Sequence, residues 1–256
     1  MSAAAPDAGT MRAAPAGQRV ASQVRFETVT LLRNGEQLVV SLVLPAMALI
    51  GLVLSPFPSL GAGARVDIVT PGILALAVVS TGFTGQAIST AFDRRYGVLR
   101  MYGVSPLGRA GLLLGKTGAV LVVLVIQLLV LGALGVGMGW RPVFAGVVPA
   151  LLGLLLGVAS FVGLALLLAG TLRAEAVLAV ANLLWVIFLG AGLAIPVSVL
   201  PGGLQHVAAA TPAGALGEAL RAALVDGSWP LASWAVLLAW SAVTWLVALK
   251  VFRWAP

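Results

Sequence analysis

Six long apolar runs restrict what this chain can fold into. A helix needs about 20 mostly apolar residues to cross a hydrocarbon core about 30 Å thick. Within lipid the backbone must satisfy its own hydrogen bonds, so continuous runs of this length predict helices. We therefore expect an all-α membrane protein with six transmembrane helices, the first of which is short and contains Pro45. The six predicted spans lie near residues 37–54, 68–90, 108–138, 143–170, 177–199 and 231–252.

The composition supports lipid as the solvent for these runs. Hydrophobic residues make up 61% of the chain and charged residues only 9%, whereas about 25% charged residues is usual in soluble domains. The net charge of +7 comes from basic residues that flank the apolar runs, which favours a membrane over nucleic acid as the partner. The absence of cysteine excludes disulfides and thiol chemistry, and a single histidine, His206, argues against a histidine-based metal site.

The distribution of Lys and Arg predicts the orientation of the chain. An even number of spans puts both termini on one side of the membrane, and all but three of the 15 basic residues fall on that side. Because cytoplasmic segments carry the excess of Lys and Arg, both termini are expected in the cytoplasm. The three exceptions are Arg65, Arg141 and Arg221.

The chain before the first span divides into two parts. Residues 1–19 are small, polar and rich in Pro and Gly, and they predict a disordered tail, followed by a single transmembrane domain over residues 20–256. Residues 20–34 predict an amphipathic helix that lies in the cytoplasmic membrane interface. Its predicted apolar side holds Val20, Val24, Leu31 and Leu32, and its predicted polar side holds Gln23, Glu27, Thr30 and Asn34.

Two further segments outside the spans have start and stop signals. Between spans two and three, residues 94–102 predict a short helix that Gly103 ends in a left-handed conformation. Ser105 and Pro106 then resemble an N-cap followed by proline, which would start span three.

In the outer segment 196–230, Thr211 and Pro212 repeat that signal, and Leu216, Leu220 and Leu224 form a stripe. Glu218 and Arg221 form an i, i+3 pair there. This outer piece is too short and polar to span, so a re-entrant-like segment is expected.

The spans lack the groups that would let the chain power transport or catalysis by itself. No Asp or Glu lies deep in any of them, although proton- and ion-coupled carriers need ionisable groups at membrane depth. No acid, base or nucleophile pair suggests an enzyme. We therefore expect no catalytic residues, and an energy source on another polypeptide.

The sequence GLLLGKT at residues 111–117 is one residue short of a phosphate-binding loop. Such a loop joins a strand to a helix and has four residues between its glycines, whereas this segment lies in an apolar helix with three. We interpret Gly111 and Gly115 as a helix-packing face, as we do the GLLLG string at residues 153–157. Lys116 is expected to extend back to the cytoplasmic face.

Neutral polar residues within the spans have two interpretations. They either join helices through hydrogen bonds or line a surface for an amphipathic substrate, with span two the richest. Phe83, Trp185 and Phe188 would add aromatic contacts to such a surface. The polar residues are Ser80, Thr81, Thr84, Gln86, Ser89, Thr90, Gln127 and Asn182.

The layout resembles the permease subunit of type-2 ABC exporters (the ABC-2 family), which includes the daunorubicin-resistance type of drug-efflux permeases. Three stretches carry the resemblance: LLRNGEQLVVSLVLPAMALI at 31–50, FDRRYGVLRMYGVSPLGRAGLLLGK at 92–116 and IPVSVLPGGLQHVAAATPAGALGEALR at 195–221. The family commonly has Glu where this chain has Asp93. The resemblance implies a multi-pass protein of a bacterial plasma (inner) membrane, with a second permease copy or a related permease as partner.

The resemblance also implies roles for individual residues. A separate ABC ATPase, which binds ATP and Mg, would dock on a coupling helix containing Asp93, Arg94, Arg95, Tyr96, Gly97, Leu99, Arg100 and Met101. The interface helix would contact the same ATPase through Phe26, Glu27 and Arg33. A substrate pathway between spans two and five would be lined by Ser80, Phe83, Thr84, Asn182, Trp185 and Phe188. The outer segment, with Pro201, Pro212, Glu218 and Arg221, would act as a gate.

The resulting hypothesis is a permease for efflux of an amphipathic drug or lipid, with multidrug resistance as one outcome. This chain itself would bind no cofactor. The alternatives are a non-transporting scaffold or regulatory subunit, a permease for a lipid-linked glycan, and a proton-coupled carrier.

Overall fold

The structure is a computed structural model that describes residues 14–57, 59–60 and 63–252. Within these residues the fold is all-α, with six helices long and apolar enough to cross a membrane, which confirms the predicted fold class. We call them spans one to six. They cover Gly35–Leu54, Arg65–Arg95, Ala110–Gly137, Phe144–Thr171, Ala174–Leu193 and Leu231–Val251.

The interface helix, Ala16–Arg33, begins four residues before its predicted start. Residues 16–19 are therefore helical and not part of a disordered tail, while residues 1–13 lie outside the described residues. Asn34 separates this helix from span one, and its Oδ1 accepts a hydrogen bond from the Gln37 amide at 3.1 Å. Span one consists of Gly35–Leu38, a π-helical turn at Val39–Val43 and Leu44–Leu54, with Pro45 near the start of the last helix.

Span two lies at the centre of the bundle and is the most buried of the six. It consists of Arg65–Val78, a π-helical turn at Val79–Gly85 and Gln86–Arg95, so it continues well beyond its predicted end at residue 90. Spans three, four and five surround it. Its polar side chains are therefore enclosed by protein and not by lipid.

The segment after span two differs from its predicted form. Span two ends at Arg95, and Gly97, in the left-handed region at φ 74°, separates it from a link helix at Val98–Gly103. The predicted single helix over 94–102 is thus two helices, and the left-handed glycine is Gly97, not Gly103. Ser105 does not cap span three either, because its hydroxyl donates to the Tyr102 carbonyl in the preceding turn. The third span's helix, Gly108–Gly137, has Leu107 as its N-cap.

Span five ends earlier than predicted. It consists of Ala174–Phe188 and a π-helical turn at Leu189–Leu193, within which Ala191 and Gly192 leave helical geometry. Gly192 has φ 110°, which a residue with a side chain rarely adopts. The predicted end at residue 199 lies in a separate 3₁₀ turn, Val197–Val199.

An inserted helix pair lies between spans five and six. It consists of Gly203–Ala210 and Pro212–Leu224, and Thr211 caps the second helix as predicted, with the Gly214 amide donating to its hydroxyl at 3.0 Å. The second helix lies along the helix Val147–Thr171 of span four, which follows a 3₁₀ turn at Phe144–Gly146. The predicted leucine stripe is buried in that contact, which extends for about three turns.

The two ends of the bundle carry different segments. We call the end that holds the interface helix, the link helix and the last turn of span six the terminus end. The opposite end, which holds the helix pair, is the hairpin end.

Candidate functional site

Three consecutive residues at the last turn of span two each bond a different part of the chain. The Asp93 carboxylate forms an ion pair with Lys116 of span three, at 2.7 Å between Oδ2 and Nζ. The Arg94 guanidinium donates to the Leu172 carbonyl, just before span five, and Arg95 forms an ion pair with Glu175 in the first turn of span five. The end of span two is thus joined directly to spans three and five.

Lys116 lies at the centre of a buried ion cluster. Its ammonium group also pairs with Glu27 of the interface helix, at 3.1 Å from Oε1, and Gln23 donates to the same oxygen at 2.9 Å. The lysine side chain is only 3% exposed, so it does not extend to the surface as the sequence predicted. Two carboxylates from two other elements supply its countercharge within the protein. Sequence analysis missed this arrangement because Glu27 and Asp93 lie far from Lys116 in the chain.

The cluster also explains which side of the interface helix faces span three. Gln23 and Glu27, on its predicted polar side, face span three, whereas Phe26 and Val29 are exposed. Gln23 and Glu27 thus approach span three beside Val24 of the predicted apolar side, so the helix contacts span three with residues of both sides.

Of the glycines in and just after GLLLGKT, Gly115 and Gly118 pack against this helix. A Cβ atom at Gly115 would collide with Gln23, and one at Gly118 would come within 2.6 Å of Val24. A Cβ at Gly111 would meet only the nearby Leu107 side chain. The predicted close packing is therefore present at Gly115, with the interface helix as its partner. The second GLLLG string packs on the helix pair, where a Cβ at Gly157 would come within 2.8 Å of Leu216.

The link helix divides the predicted coupling residues into two groups. Asp93, Arg94 and Leu99 face inward, and Leu99 is almost completely buried. The residues that face outward are Arg95, which pairs with Glu175, and Tyr96, Arg100 and Met101, together with Val104. Gly97 forms the turn between the two helices, and Phe26 and Arg33 of the interface helix are exposed as well.

Most of the predicted pathway residues lie inside this chain. Ser80, Phe83 and Thr84 are buried in the π-helical turn of span two. Ser80 accepts a hydrogen bond from the Trp185 indole of span five at 2.8 Å, and the ring centroids of Phe83 and Phe188 are 5.9 Å apart. The pairs Ser80–Trp185 and Phe83–Phe188 thus join spans two and five within one chain, whereas the buried Thr84 hydroxyl has no hydrogen-bond partner among the described residues.

Other polar residues of the spans are paired with one another. Thr81 of span two and Gln127 of span three exchange hydrogen bonds at 2.8 and 2.9 Å, and Gln86 donates to Thr90. Asn182 differs, because it lies on an exposed face of span five among apolar side chains. That face also carries Leu178, Leu183, Val186 and Gly190.

A second buried cation lies at the hairpin end. The Arg221 guanidinium donates to Glu218 at 3.0 Å, which is the pair that the sequence predicted. It also donates to the backbone carbonyls of Ile68 at 3.1 Å, Gly192 at 2.8 Å and Leu193. Glu218 accepts a further hydrogen bond from the Val197 amide at 3.0 Å. The predicted gate prolines flank these contacts: Pro201 is exposed before the first helix of the pair, and Pro212 is the buried first residue of the second.

Comparison with family models assigns the chain to a family. The six apolar helices define a multi-pass membrane protein, and the model for ABC-2 type transporter membrane proteins matches residues 20–225. The chain belongs to the ABC-2 type transporter family and is an ABC-type permease, as the sequence resemblance implied. The match begins in the interface helix and ends just after the inserted helix pair. A comparison with curated proteins found no significant match.

Proposed function

We propose that this chain is the permease subunit of an ATP-driven exporter that moves an amphipathic, drug-like or lipid-like substrate out of the cytoplasm. A separate ABC ATPase, holding ATP and Mg, supplies the energy. The observation that carries the proposal is the Asp93–Arg95 tripeptide, because it joins the exposed link helix to spans three and five. These contacts would also stabilise a scaffold, so the exposed link helix that they anchor is the feature that favours a permease driven by an ATPase.

The ATPase docks at the terminus end, which is cytoplasmic. The basic residues of the chain concentrate there, as cytoplasmic segments require. The docking surface consists of Tyr96, Arg100, Met101 and Val104, with Phe26 and Arg33 of the interface helix as a second contact. Aromatic residues, Met and Arg are the types enriched at protein interfaces, and Tyr96 and Met101 are 71% and 61% exposed.

Movement of the link helix reaches the membrane through the inward-facing residues. Leu99 anchors the link helix by its burial. Asp93 passes displacement to Lys116 and the interface helix, while Arg94 and Arg95 pass it to the start of span five. Buried charge pairs resist separation because each partner left alone is costly, so these elements move together.

The substrate follows the exposed face of span five that carries Asn182, opposite a second copy of the permease. An exposed amide among apolar side chains at membrane depth is costly unless a partner satisfies it. A hydrogen-bonding group of an amphipathic substrate is such a partner. Behind this face lies the buried region between spans two and five, which contains Ser80, Phe83, Thr84, Trp185 and Phe188.

The docking surface is tested by truncating its exposed side chains. Purify the permease with the ABC ATPase that co-purifies with it, and measure the ATPase affinity and substrate-stimulated ATP hydrolysis of a Tyr96→Ala, Met101→Ala variant. We expect the Kd to rise at least about tenfold, because central aromatic contacts dominate interface energies. Leu204→Ala is the matched control, since Leu204 is 57% exposed at the opposite end. Unchanged affinity and stimulation in the double variant would assign the chain to a different docking mode or to a scaffold role.

A further inference from the structure

The break in span five creates an unusual requirement for hydrogen-bond donors. Ala191 (φ −96°, ψ 57°) and Gly192 (φ 110°) are not helical, so the regular ladder stops there. A helix end leaves carbonyls without amides from a following turn, and lipid offers no replacement. In this structure, Gly192 and Leu193 receive their hydrogen bonds from the side chain of Arg221.

Arg221 reaches this break from a different element. It lies on the second helix of the inserted pair, and it also bonds Ile68 in the first turn of span two. A guanidinium presents five donors in a fixed planar fork, so one side chain joins three elements. The backbones are close enough that a Cβ at Gly72 would collide with the Leu193 carbonyl, and one at Gly217 with the Gly192 carbonyl.

The countercharge of Arg221 comes from its own helix. Glu218 is one turn earlier and 35% exposed, so the ion pair stays intact if the helix moves as a unit. A movement of this helix would break the bonds of Arg221 to Gly192, Leu193 and Ile68, together with the bond that Glu218 accepts from the Val197 amide. The first helix of the pair is held by neutral hydrogen bonds, since Trp240 of span six donates to the Ala210 carbonyl and Gln205 donates to the Ser198 and Leu200 carbonyls. A movement of the pair must break or carry along these bonds as well.

We propose that Arg221 is a latch that holds the inserted helix pair against the break in span five, and that the hairpin end opens when the guanidinium releases the Gly192 and Leu193 carbonyls. The residue positions the gate and does not contact substrate. Arg221 keeps Glu218 as its partner in both states, which makes the release reversible. This inference concerns the opposite end of the bundle from the proposed ATPase contact and does not depend on it.

The test uses the absence of cysteine in the natural sequence. Val197 is 7% exposed beneath the latch, where its amide bonds Glu218, and the next residue, Ser198, is exposed. Single-cysteine variants Val197→Cys and Ser198→Cys are labelled in detergent with a membrane-impermeant maleimide. Ser41→Cys, at a 1% exposed site in span one, reports loss of the fold.

With Arg221 intact, we expect the thiol of the Val197→Cys variant to react much more slowly than that of Ser198→Cys. Adding Arg221→Gln should raise the labelling rate of Val197→Cys at least about tenfold, because charge-assisted hydrogen bonds that restrain a local opening are lost. The thiol of Ser41→Cys should stay unreactive in the same background. Arg221→Lys keeps the charge but lacks the fork, so it should raise the Val197→Cys rate by a smaller factor.

Two outcomes would overturn the latch. The first is a labelling rate of Val197→Cys that Arg221→Gln leaves unchanged. The second concerns the lysine variant, which is needed if Arg221→Gln also exposes the thiol of Ser41→Cys and so shows that the fold is lost. The lysine variant then decides, and an unchanged Val197→Cys rate in Arg221→Lys would overturn the latch equally.

Discussion

Lys116 at the terminus end and Arg221 at the hairpin end are both buried cations, but they are held in opposite ways. Lys116 has two carboxylates, and both belong to other elements. Arg221 has one carboxylate, which lies on its own helix, and bonds other elements only through neutral carbonyls. Moving the Lys116 contacts apart separates charges, whereas moving Arg221 breaks hydrogen bonds and keeps its ion pair. The first arrangement suits a rigid junction and the second suits a gate.

Removal of the lysine charge should have the largest effect on stability. Lys116→Met leaves two carboxylates, Glu27 (14% exposed) and Asp93 (29% exposed), without their shared buried cation, and breaking a buried pair in this way costs about 3–5 kcal/mol. Thermal unfolding of the purified protein in detergent measures the loss. The control adds Glu27→Gln and Asp93→Asn to Lys116→Met, and this neutral triple variant should recover most of the lost stability. A single variant as stable as the natural protein would refute the buried cluster.

Removal of the arginine should cost less. Arg221→Met leaves neutral carbonyls, and Glu218 can be hydrated because it is partly exposed. The Gly192 and Leu193 carbonyls both lose their donor, and unsatisfied neutral groups cost about 1–3 kcal/mol each. We expect a destabilisation of about 2–3 kcal/mol in the same unfolding experiment, near the low end of that sum. A loss larger than that of Lys116→Met would reverse the proposed difference between the two sites.

Adding a methyl group where span three packs on the interface helix should destabilise the protein less than either of these two substitutions. Gly115→Ala places a Cβ against the Cβ and Cγ atoms of Gln23, and overpacking of this kind costs about 1–3 kcal/mol. We expect the low end because the half-exposed interface helix can shift away from span three. Gly111→Ala is the matched control in the same helix, and we expect little change there because only the Leu107 side chain must move. Equal unfolding temperatures for the two variants would mean that the interface helix does not depend on this contact.

The smallest effect on stability is expected for the exposed ion pair between Arg95 and Glu175. Arg95 and Glu175 are 49% and 58% exposed, and pairs of this kind contribute at most about 1 kcal/mol. Arg95→Ala should therefore leave the unfolding temperature nearly unchanged and reduce substrate-stimulated ATP hydrolysis in the complex. Normal stimulation would remove Arg95 from the route to span five.

The sequence was sufficient for the helical architecture but not for the internal contacts. Run lengths predicted six spans because lipid leaves the backbone few other options, and the Thr211–Pro212 cap was predicted because its signal is local. The break at Gly192 was missed because glycine in an apolar run is compatible with either a helix or a kink. The partners of Lys116 and most of those of Arg221 were missed because they are set by tertiary packing between elements distant in the chain.

The same limit applied to the candidate site residues. Asp93, Arg94 and Arg95 were grouped by their position in one segment, yet the structure directs Asp93 to span three and the two arginines to the start of span five. Ser80 and Trp185 were both selected as polar or aromatic residues of spans two and five. Only the structure shows that they bond one another within the chain.

The most direct test of the account measures transport by the permease with its ABC ATPase in proteoliposomes, with an NBD-labelled phospholipid and a rhodamine dye as amphipathic probes. We predict movement of at least one probe that requires ATP, survives a protonophore at constant ATP, and is lost in the Tyr96→Ala, Met101→Ala variant but retained in Leu204→Ala. Transport that proceeds without ATP, or that collapses with the protonophore while ATP is constant, would contradict an ATP-driven permease coupled through the link helix.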